Sequence, residues 1–291
     1  MEIIVGKTAG FCYGVKRAVE GAIEETENKE EVYCLGEIVH NKEVVKKLKQ
    51  KGIKQIEKIE EATGKTIIRA HGIAKEIYEK AKEMNIEIKD LTCPKVLQIH
   101  KIAEDFQKEG YYIFLFGNKN HPENIGTISY CGNKYYVIED LERLPEALKK
   151  LEESQVKKLA VIAQTTYNLE KFETGTKEIE RLLEDKGIKI DIVNTICHAT
   201  ESRQKETEEI SKNVDFMIII GGKNSSNTQK LYEIAKKYCR EAVCIETKEE
   251  LEKIELDFSK YNKIGIMAGA STPKESIVDV KELLIDKAKE N

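Results

Sequence analysis

The fold of this chain can be predicted from residues 93–123, CPKVLQIHKIAEDFQKEGYYIFLFGNKNHPE. They begin with Cys93 and a proline, which suits the first turn of a helix. Residues 113–116 (IFLF) form a short apolar run, which predicts a buried strand that ends at Gly117 and leads to His121. An apolar stripe at helical spacing lies between them, formed by Val96, Ile99, Ala103 and Phe106.

The same order of features occurs three times along the chain. Cys12 and Cys197 begin two further segments of this kind. A glycine follows each cysteine by 24 residues, at Gly36, Gly117 and Gly221, and a polar residue follows by 28, at His40, His121 and Ser225. Agreement in register across three segments indicates internal repeats.

Each repeat contains further β-branched runs that alternate with helical patterns, which is typical of parallel α/β units. One run ends near His71, Thr165 or Ser271, and another leads into each cysteine. The predicted fold class is therefore α/β, with three pseudo-threefold-related parallel α/β units. We expect them at residues 14–93, 94–195 and 196–291, with the N-terminal segment 1–13 completing the third.

Composition narrows the functional classes. The 291 residues are 40% hydrophobic and 34% charged, which describes a globular protein, and the net charge of −4 provides no basic surface for nucleic acid. No apolar run approaches the length of a membrane span, and the N-terminus does not resemble a signal peptide. We therefore expect a cytoplasmic protein, whose seven cysteines are free thiols or metal ligands.

Ligands of parallel sheets bind beyond the carboxyl ends of the strands, so residues from all three units are expected to face one central cavity. Cys12, Cys93 and Cys197 each precede a helix, whose dipole favours a thiolate. Thiolates suit zinc or iron–sulfur clusters, and the wide spacing differs from the close pairs of zinc sites. A four-iron cluster with three such ligands keeps one iron open. The alternative is that these cysteines are small buried apolar residues, which is also our interpretation of the other four.

Polar residues follow the strands. His40, His71 and His121 occur in repeat-related loops and predict an anion-binding cluster, although each is also compatible with an ordinary loop histidine. His100 is expected on a helix surface in contact with solvent. The third repeat supplies hydroxyl and amide groups that suit a phosphate instead, namely Ser225, Ser226, Asn227 and Ser271.

Glu123 follows His121 and is a candidate proton donor beside this anion site. Thr165 and Thr166 are candidates for relaying protons or for binding a substrate hydroxyl. A solvated Glu123 without a chemical role is the alternative.

Taken in order, the motifs resemble those of the 4-hydroxy-3-methylbut-2-enyl diphosphate reductase family across essentially the whole chain. The motifs that carry the resemblance are AGFCYGV (9–15), RAHG (69–72), TCP (92–94), NHPE (120–123), QTT (164–166), NTIC (194–197), GGKNS (221–225) and AGASTP (268–273).

The resemblance implies a trefoil around one [4Fe–4S] cluster with an open apical iron, held by Cys12, Cys93 and Cys197. It implies that Glu123 supplies protons and that Thr165 holds the substrate hydroxyl. It assigns the diphosphate group and its surroundings to His40, His71, His121, Ser225, Ser226, Asn227 and Ser271.

The implied reaction is reductive dehydroxylation of a small allylic diphosphate to isopentenyl and dimethylallyl diphosphate. Two electrons arrive singly from a donor such as ferredoxin or flavodoxin. Two other classes remain as alternatives. A zinc-dependent phosphate-ester hydrolase would use the three histidines and Glu123, and a non-catalytic redox sensor would use the cluster alone.

Overall fold

The computed structural model describes residues 1–28, 31–254 and 258–290. Its strands form three sheets of four parallel strands each. Contacts divide the chain into two compact bodies. The terminal lobe comprises Met1–Lys16, Val39–Lys47 and His198–Asn291, and the central lobe comprises Arg17–Ile38 and Leu48–Cys197.

The central lobe contains two of the sheets. The strands of the first are β2 (Val32–Leu35), β3 (Lys54–Ile56), β4 (Lys65–Ile68) and β5 (Ile88–Asp90), in the spatial order β3-β2-β4-β5. The strands of the second are β6 (Tyr112–Phe116), β7 (Tyr135–Ile138), β8 (Lys158–Ala163) and β9 (Lys189–Ile192), in the order β7-β6-β8-β9.

The terminal lobe contains the third sheet. Its strands are β10 (Phe216–Ile220), β11 (Glu241–Ile245), β12 (Lys263–Ala268) and the N-terminal β1 (Glu2–Val5). Their order is β11-β10-β12-β1, because β1 pairs in parallel with β12. All three sheets thus share one strand order.

Helices connect these strands. Those of the first repeat are α1 (Tyr13–Glu25), α2 (Lys42–Gln50) and α3 (Lys75–Glu83). Those of the second are α4 (Pro94–Lys108), α5 (Pro122–Ile128), α6 (Leu144–Glu153) and α7 (Leu169–Leu183). Those of the third are α8 (His198–Ser211), α9 (Ser226–Tyr238), α10 (Lys248–Glu252) and α11 (Lys274–Glu290). Within the described residues no helix is both long and apolar enough to cross a bilayer.

The repeat spacing has a direct structural meaning. A glycine follows each of the strands β2, β6 and β10. Its main-chain N–H donates to the carbonyl of the last residue of the neighbouring strand, β3, β7 or β11. These bonds are Gly36 to Ile56 at 2.8 Å, Gly117 to Ile138 at 3.0 Å and Gly221 to Ile245 at 2.9 Å. The predicted α/β class with three parallel units is confirmed, and the unit boundaries stay a prediction.

Burial explains why the strands were recognisable. Every residue of β6 and β10 is buried, as expected for central strands covered by helices on both faces. Phe114 and Phe116 pack with Phe172 of α7 on one side of the second sheet. The strands are therefore fixed by packing on both faces. The loops that follow their carboxyl ends carry candidate site residues.

Candidate active site

The three candidate cysteine ligands share one backbone arrangement. Each lies immediately before a helix. Its main-chain N–H donates to a carbonyl in the loop that follows strand β12, β4 or β8. The bonds are Cys12 to the Ala270 carbonyl at 3.1 Å, Cys93 to Ala70 at 3.0 Å and Cys197 to Thr165 at 3.0 Å. Each acceptor directly precedes a predicted substrate-binding residue, namely Ser271, His71 or Thr166. Within each lobe, the cysteines are thus bonded directly to the loops that carry the other candidate residues.

Three of the other four cysteines are buried more deeply than these three, and the fourth, Cys244, is half-buried as they are. Cys12, Cys93 and Cys197 are half-buried and free of disulfides. Burial raises the pKa of Cys34 and of Cys131 to about 12. It raises the pKa of Cys244 to about 11 and also raises that of Cys239. The four cysteines outside the repeat register are therefore poor thiolate ligands, which fits their interpretation as structural residues.

Glu123 lies in the central lobe and is almost completely buried, with 2% of its surface exposed, so it is not a solvated residue. Its carboxylate accepts two hydrogen bonds from Thr165, one from the main-chain N–H and one from the hydroxyl, both at 2.6 Å. Burial raises the pKa of Glu123 to about 7, and the bonds from Thr165 partly oppose that rise. A carboxyl group that is half-protonated near neutral pH is suited to donate a proton.

The side chain of His121 holds the main chain at Glu123 through a hydrogen bond. It is the N-cap of α5, and its Nδ1 accepts the Glu123 N–H at 3.2 Å, while Pro122 occupies the first turn. Because Nδ1 accepts, the neutral ring carries its proton on Nε2 and can donate from that side. The ring of His71 meets the His121 ring edge-on, with centroids 5.5 Å apart.

These contacts form a continuous chain in the central lobe. Cys197 is bonded to Thr165, Thr165 to Glu123, and Glu123 to His121, whose ring contacts that of His71. Ala70 accepts the Cys93 amide and is the residue before His71. The structure thus brings together seven predicted residues in this lobe, namely Cys93, Cys197, His71, His121, Glu123, Thr165 and Thr166.

Gln164 was not predicted and holds this arrangement in place. Its side-chain oxygen accepts from the Asn124 amide at 2.9 Å and from the Asn118 N–H at 3.1 Å. Its side-chain nitrogen donates to the Thr166 hydroxyl at 2.8 Å, which leaves the hydroxyl proton of Thr166 available for a ligand. The signal was present in the sequence, since Gln164 belongs to the QTT motif (164–166) and Asn124 directly follows the NHPE motif (120–123).

The terminal lobe holds a polar helix start with an unsatisfied amide. Ser225 caps α9, with its hydroxyl accepting the Thr228 N–H at 3.4 Å, and Ser226 begins the helix half-buried. Asn227 is buried, and neither its side-chain nitrogen nor its side-chain oxygen has a hydrogen-bond partner among the described residues. A helix N-terminus beside an unsatisfied buried amide is suited to bind an anion.

His40 is anchored to the same lobe through its main chain. The Ser271 hydroxyl donates to the His40 carbonyl at 2.9 Å. The backbone of Gly222 lies so close that a Cβ there would be 2.6 Å from the same carbonyl. Because Cys12 is bonded to Ala270, the residue before Ser271, the terminal lobe links one candidate thiol to the His40 loop.

The prediction for His100 was wrong. This residue of α4 is only 3% exposed, and its ring stacks on Tyr130 with centroids 4.6 Å apart. Burial lowers its pKa to about 4, so the ring is neutral. The His100 ring packs against Gly72 and Gly126, where the absence of a side chain leaves space for an imidazole. The helical pattern of the sequence does not reveal this space, so it predicted an exposed residue.

Comparison with known proteins shows the family of this chain. Residues 3–285 match the family model described as LytB protein, so the chain belongs to the LytB protein family. A relative from Caldanaerobacter subterraneus subsp. tengcongensis is 42% identical over 97% of this chain and 96% of its own length. It is named 4-hydroxy-3-methylbut-2-enyl diphosphate reductase, and the recognition made from the motifs is thereby confirmed.

Solved structures extend the likeness to the fold. One of (E)-4-hydroxy-3-methyl-but-2-enyl diphosphate reductase, the terminal enzyme of the non-mevalonate pathway, is 39% identical over the full length of both chains, with a TM-score of 0.68. The Plasmodium falciparum E-1-hydroxy-2-methyl-but-2-enyl-4-diphosphate reductase is 29% identical over 97% of this chain and 87% of that one, with a TM-score of 0.85. The chain is therefore an enzyme of a family whose named members are reductases.

Proposed function

We propose that this enzyme reductively dehydroxylates 4-hydroxy-3-methylbut-2-enyl diphosphate to isopentenyl and dimethylallyl diphosphate. The observation that carries the proposal is the buried Glu123–Thr165 pair, which is bonded through Thr165 to the Cys197 amide. A proton donor is thus linked through one residue, Thr165, to the main chain of a candidate cluster ligand. The balanced reaction takes up two electrons and two protons and releases water.

The donor set fits one [4Fe–4S] cluster held by Cys12, Cys93 and Cys197. The fit is supported by three half-buried cysteines that form no disulfide, each in a loop held by the same kind of backbone bond. Thiolates are the usual ligands of such clusters, and three of them keep one iron open. When bound, the cluster would supply the electrons and a Lewis-acidic iron for the substrate oxygen.

The side chains of the chain supply binding and orientation. Nε2 of His121 would donate a hydrogen bond to the diphosphate. The ring of His71 contacts the ring of His121 and would bind the same group. In the terminal lobe, His40, Ser225, Ser226, Asn227 and Ser271 would complete the binding set. The unsatisfied buried amide of Asn227 gains hydrogen bonds only when a polar ligand arrives, so it favours the bound state.

Glu123 and Thr165 would deliver protons. With a pKa near 7 the Glu123 carboxyl holds a proton in much of the population, and its contact with the Thr165 hydroxyl provides a short path for that proton. Thr165 would also orient the substrate hydroxyl, with Thr166 next to it. Exclusion of water from this buried pair strengthens each electrostatic contact.

A small protein such as ferredoxin or flavodoxin would donate the electrons one at a time, and a cytoplasmic setting would supply such a donor. The first experiment is anaerobic purification followed by iron, zinc and acid-labile sulfide analysis. Turnover of 4-hydroxy-3-methylbut-2-enyl diphosphate is then measured with a chemical reductant, following both products. Equal amounts of iron and sulfide with product formation would support the proposal. Zinc without sulfide would favour the hydrolase, and an intact cluster without turnover would favour the sensor.

A further inference from the structure

Two arginines lie on helices that directly follow candidate cysteine ligands. Arg203 is on α8, six residues after Cys197, and it is 4% exposed. Its Nη1 donates to the Ala199 carbonyl at 2.8 Å, and its Nη2 donates to the Gly10 carbonyl at 2.7 Å. Gly10 lies two residues before Cys12, so this guanidinium fixes the main chain that leads to a ligand on a different segment.

Arg17 repeats the arrangement in the central lobe. It lies on α1, five residues after Cys12, and its Nη1 donates to the Thr92 carbonyl at 3.0 Å. Thr92 is the residue before Cys93 and is itself buried, with its N–H held by Asp90 Oδ1 at 2.9 Å. In both cases an arginine from the helix after one cysteine binds the carbonyl just before another.

The loop before Cys12 has a second attachment to the same helix. Glu206 of α8 accepts hydrogen bonds from the N–H groups of Lys7 and Thr8, at 2.6 and 2.8 Å, and from the Thr8 hydroxyl at 2.5 Å. One turn of α8 therefore holds the segment from Lys7 to Gly10 at both ends. Because the loop has no regular secondary structure, these contacts determine the direction in which Cys12 leaves it.

We infer that Arg17 and Arg203 are positioning residues for the cluster ligands, an inference that rests on the proposed function. A fixed carbonyl one or two residues before a cysteine restricts the backbone angles that aim its thiol. Groups that orient metal ligands typically change metal affinity about 10- to 100-fold when removed.

The test compares cluster retention in four variants. Arg17→Gln and Arg203→Gln remove the charge, Arg203→Lys keeps it, and Arg181→Gln is the matched control, because Arg181 is an exposed residue of α7 paired with Glu178. Each protein is loaded with its cluster under anaerobic conditions, and the half-life of its visible absorption is measured in excess chelator. Far-UV circular dichroism and the melting temperature of each protein report folding.

We expect the half-life to fall about tenfold or more in Arg203→Gln and in Arg17→Gln, and to stay at the wild-type value in Arg181→Gln. We expect Arg203→Lys to recover part of the loss, and the midpoint potential of the cluster to become more negative in Arg203→Gln than in Arg203→Lys. These two readouts separate positioning of the ligands from a general loss of stability.

Wild-type half-lives in folded Arg17→Gln and Arg203→Gln would overturn the inference. If Arg203→Gln does not fold, the half-buried Arg17 decides the question. A wild-type protein without iron and sulfide would instead refute the proposed function, whereas a wild-type cluster that neither variant weakens would refute the positioning role alone.

Discussion

Glu123 gives the sharpest prediction, because its burial affects catalysis and stability in opposite directions. The folded chain keeps the Glu123 proton up to about pH 7, while the unfolded chain releases it near the ordinary value of 4.5. Between these values the folded state binds more protons, so the free energy of unfolding decreases as the pH rises. The complete loss above this window is about 3 kcal/mol for a fully buried carboxyl.

Glu123→Gln removes this titration and keeps the size of the side chain. The glutamine oxygen can still accept the Thr165 N–H, and the glutamine amide nitrogen would donate to the Thr165 hydroxyl oxygen in place of the bond that the carboxylate accepts. We expect the variant to match the wild type in stability at low pH and to exceed it at alkaline pH, by up to about 3 kcal/mol, or several degrees in melting temperature. We also expect it to keep the cluster and to lose turnover, because an amide does not donate a proton to the reacting carbon.

The assay is the melting temperature of wild type and variant at about pH 5 and about pH 8.5, on either side of the window. Glu180→Gln on α7 serves as the control, since Glu180 is exposed. The same pH dependence in wild type and Glu123→Gln would refute the reasoning, as it would mean that Glu123 is already ionised in the folded chain. Near-normal turnover in the variant would remove Glu123 from the mechanism.

Three further predictions concern the ligand sites. Cys12→Ser should lose the cluster and activity, whereas Cys131→Ser, outside the repeat register, should keep both; iron and sulfide counts decide. Asn227→Ala should weaken binding of inorganic diphosphate about 10- to 100-fold in calorimetry, without lowering the melting temperature, because it also removes an unsatisfied buried amide. Ser271→Ala should destabilise the protein by about 1 kcal/mol in denaturant unfolding, since it deletes the bond to His40, and unchanged stability there would mean that this bond contributes nothing.

The parallel sheets could be predicted from the sequence, and with them the loops that carry the candidate site residues, because both depend on the local order of residues. The spacing from each cysteine to the glycine corresponds to one helix and one buried strand, and strands of this kind are recognisable from their apolar runs. The loops after the third strands then accept the cysteine amides in equivalent positions. Each motif is weak evidence alone, but the threefold repetition of the motifs predicted which loops carry candidate site residues.

Helix α8 could be predicted from the repeat register but not from an apolar stripe. Its buried face is formed entirely by polar residues, Thr200, Arg203, Gln204, Thr207 and Ser211, so no apolar stripe marks it. The helical spacing is intact, but hydrogen bonds such as Thr207 to the Arg203 carbonyl, at 2.7 Å, satisfy the buried groups. A search for polar residues at helical spacing after each cysteine would have found Arg203.

The pairing of β1 with β12 affects how the protein is made. The ribosome releases residues 2–5 long before residues 263–268, with a delay of roughly ten seconds to a minute at ordinary rates of translation. During synthesis the edge of β1 has no neighbouring strand, and the Cys12 amide has no Ala270 carbonyl to bind. The loop of Cys12 can therefore take up its final position only after residues 263–270 have been made, so the proposed cluster would be assembled after that point.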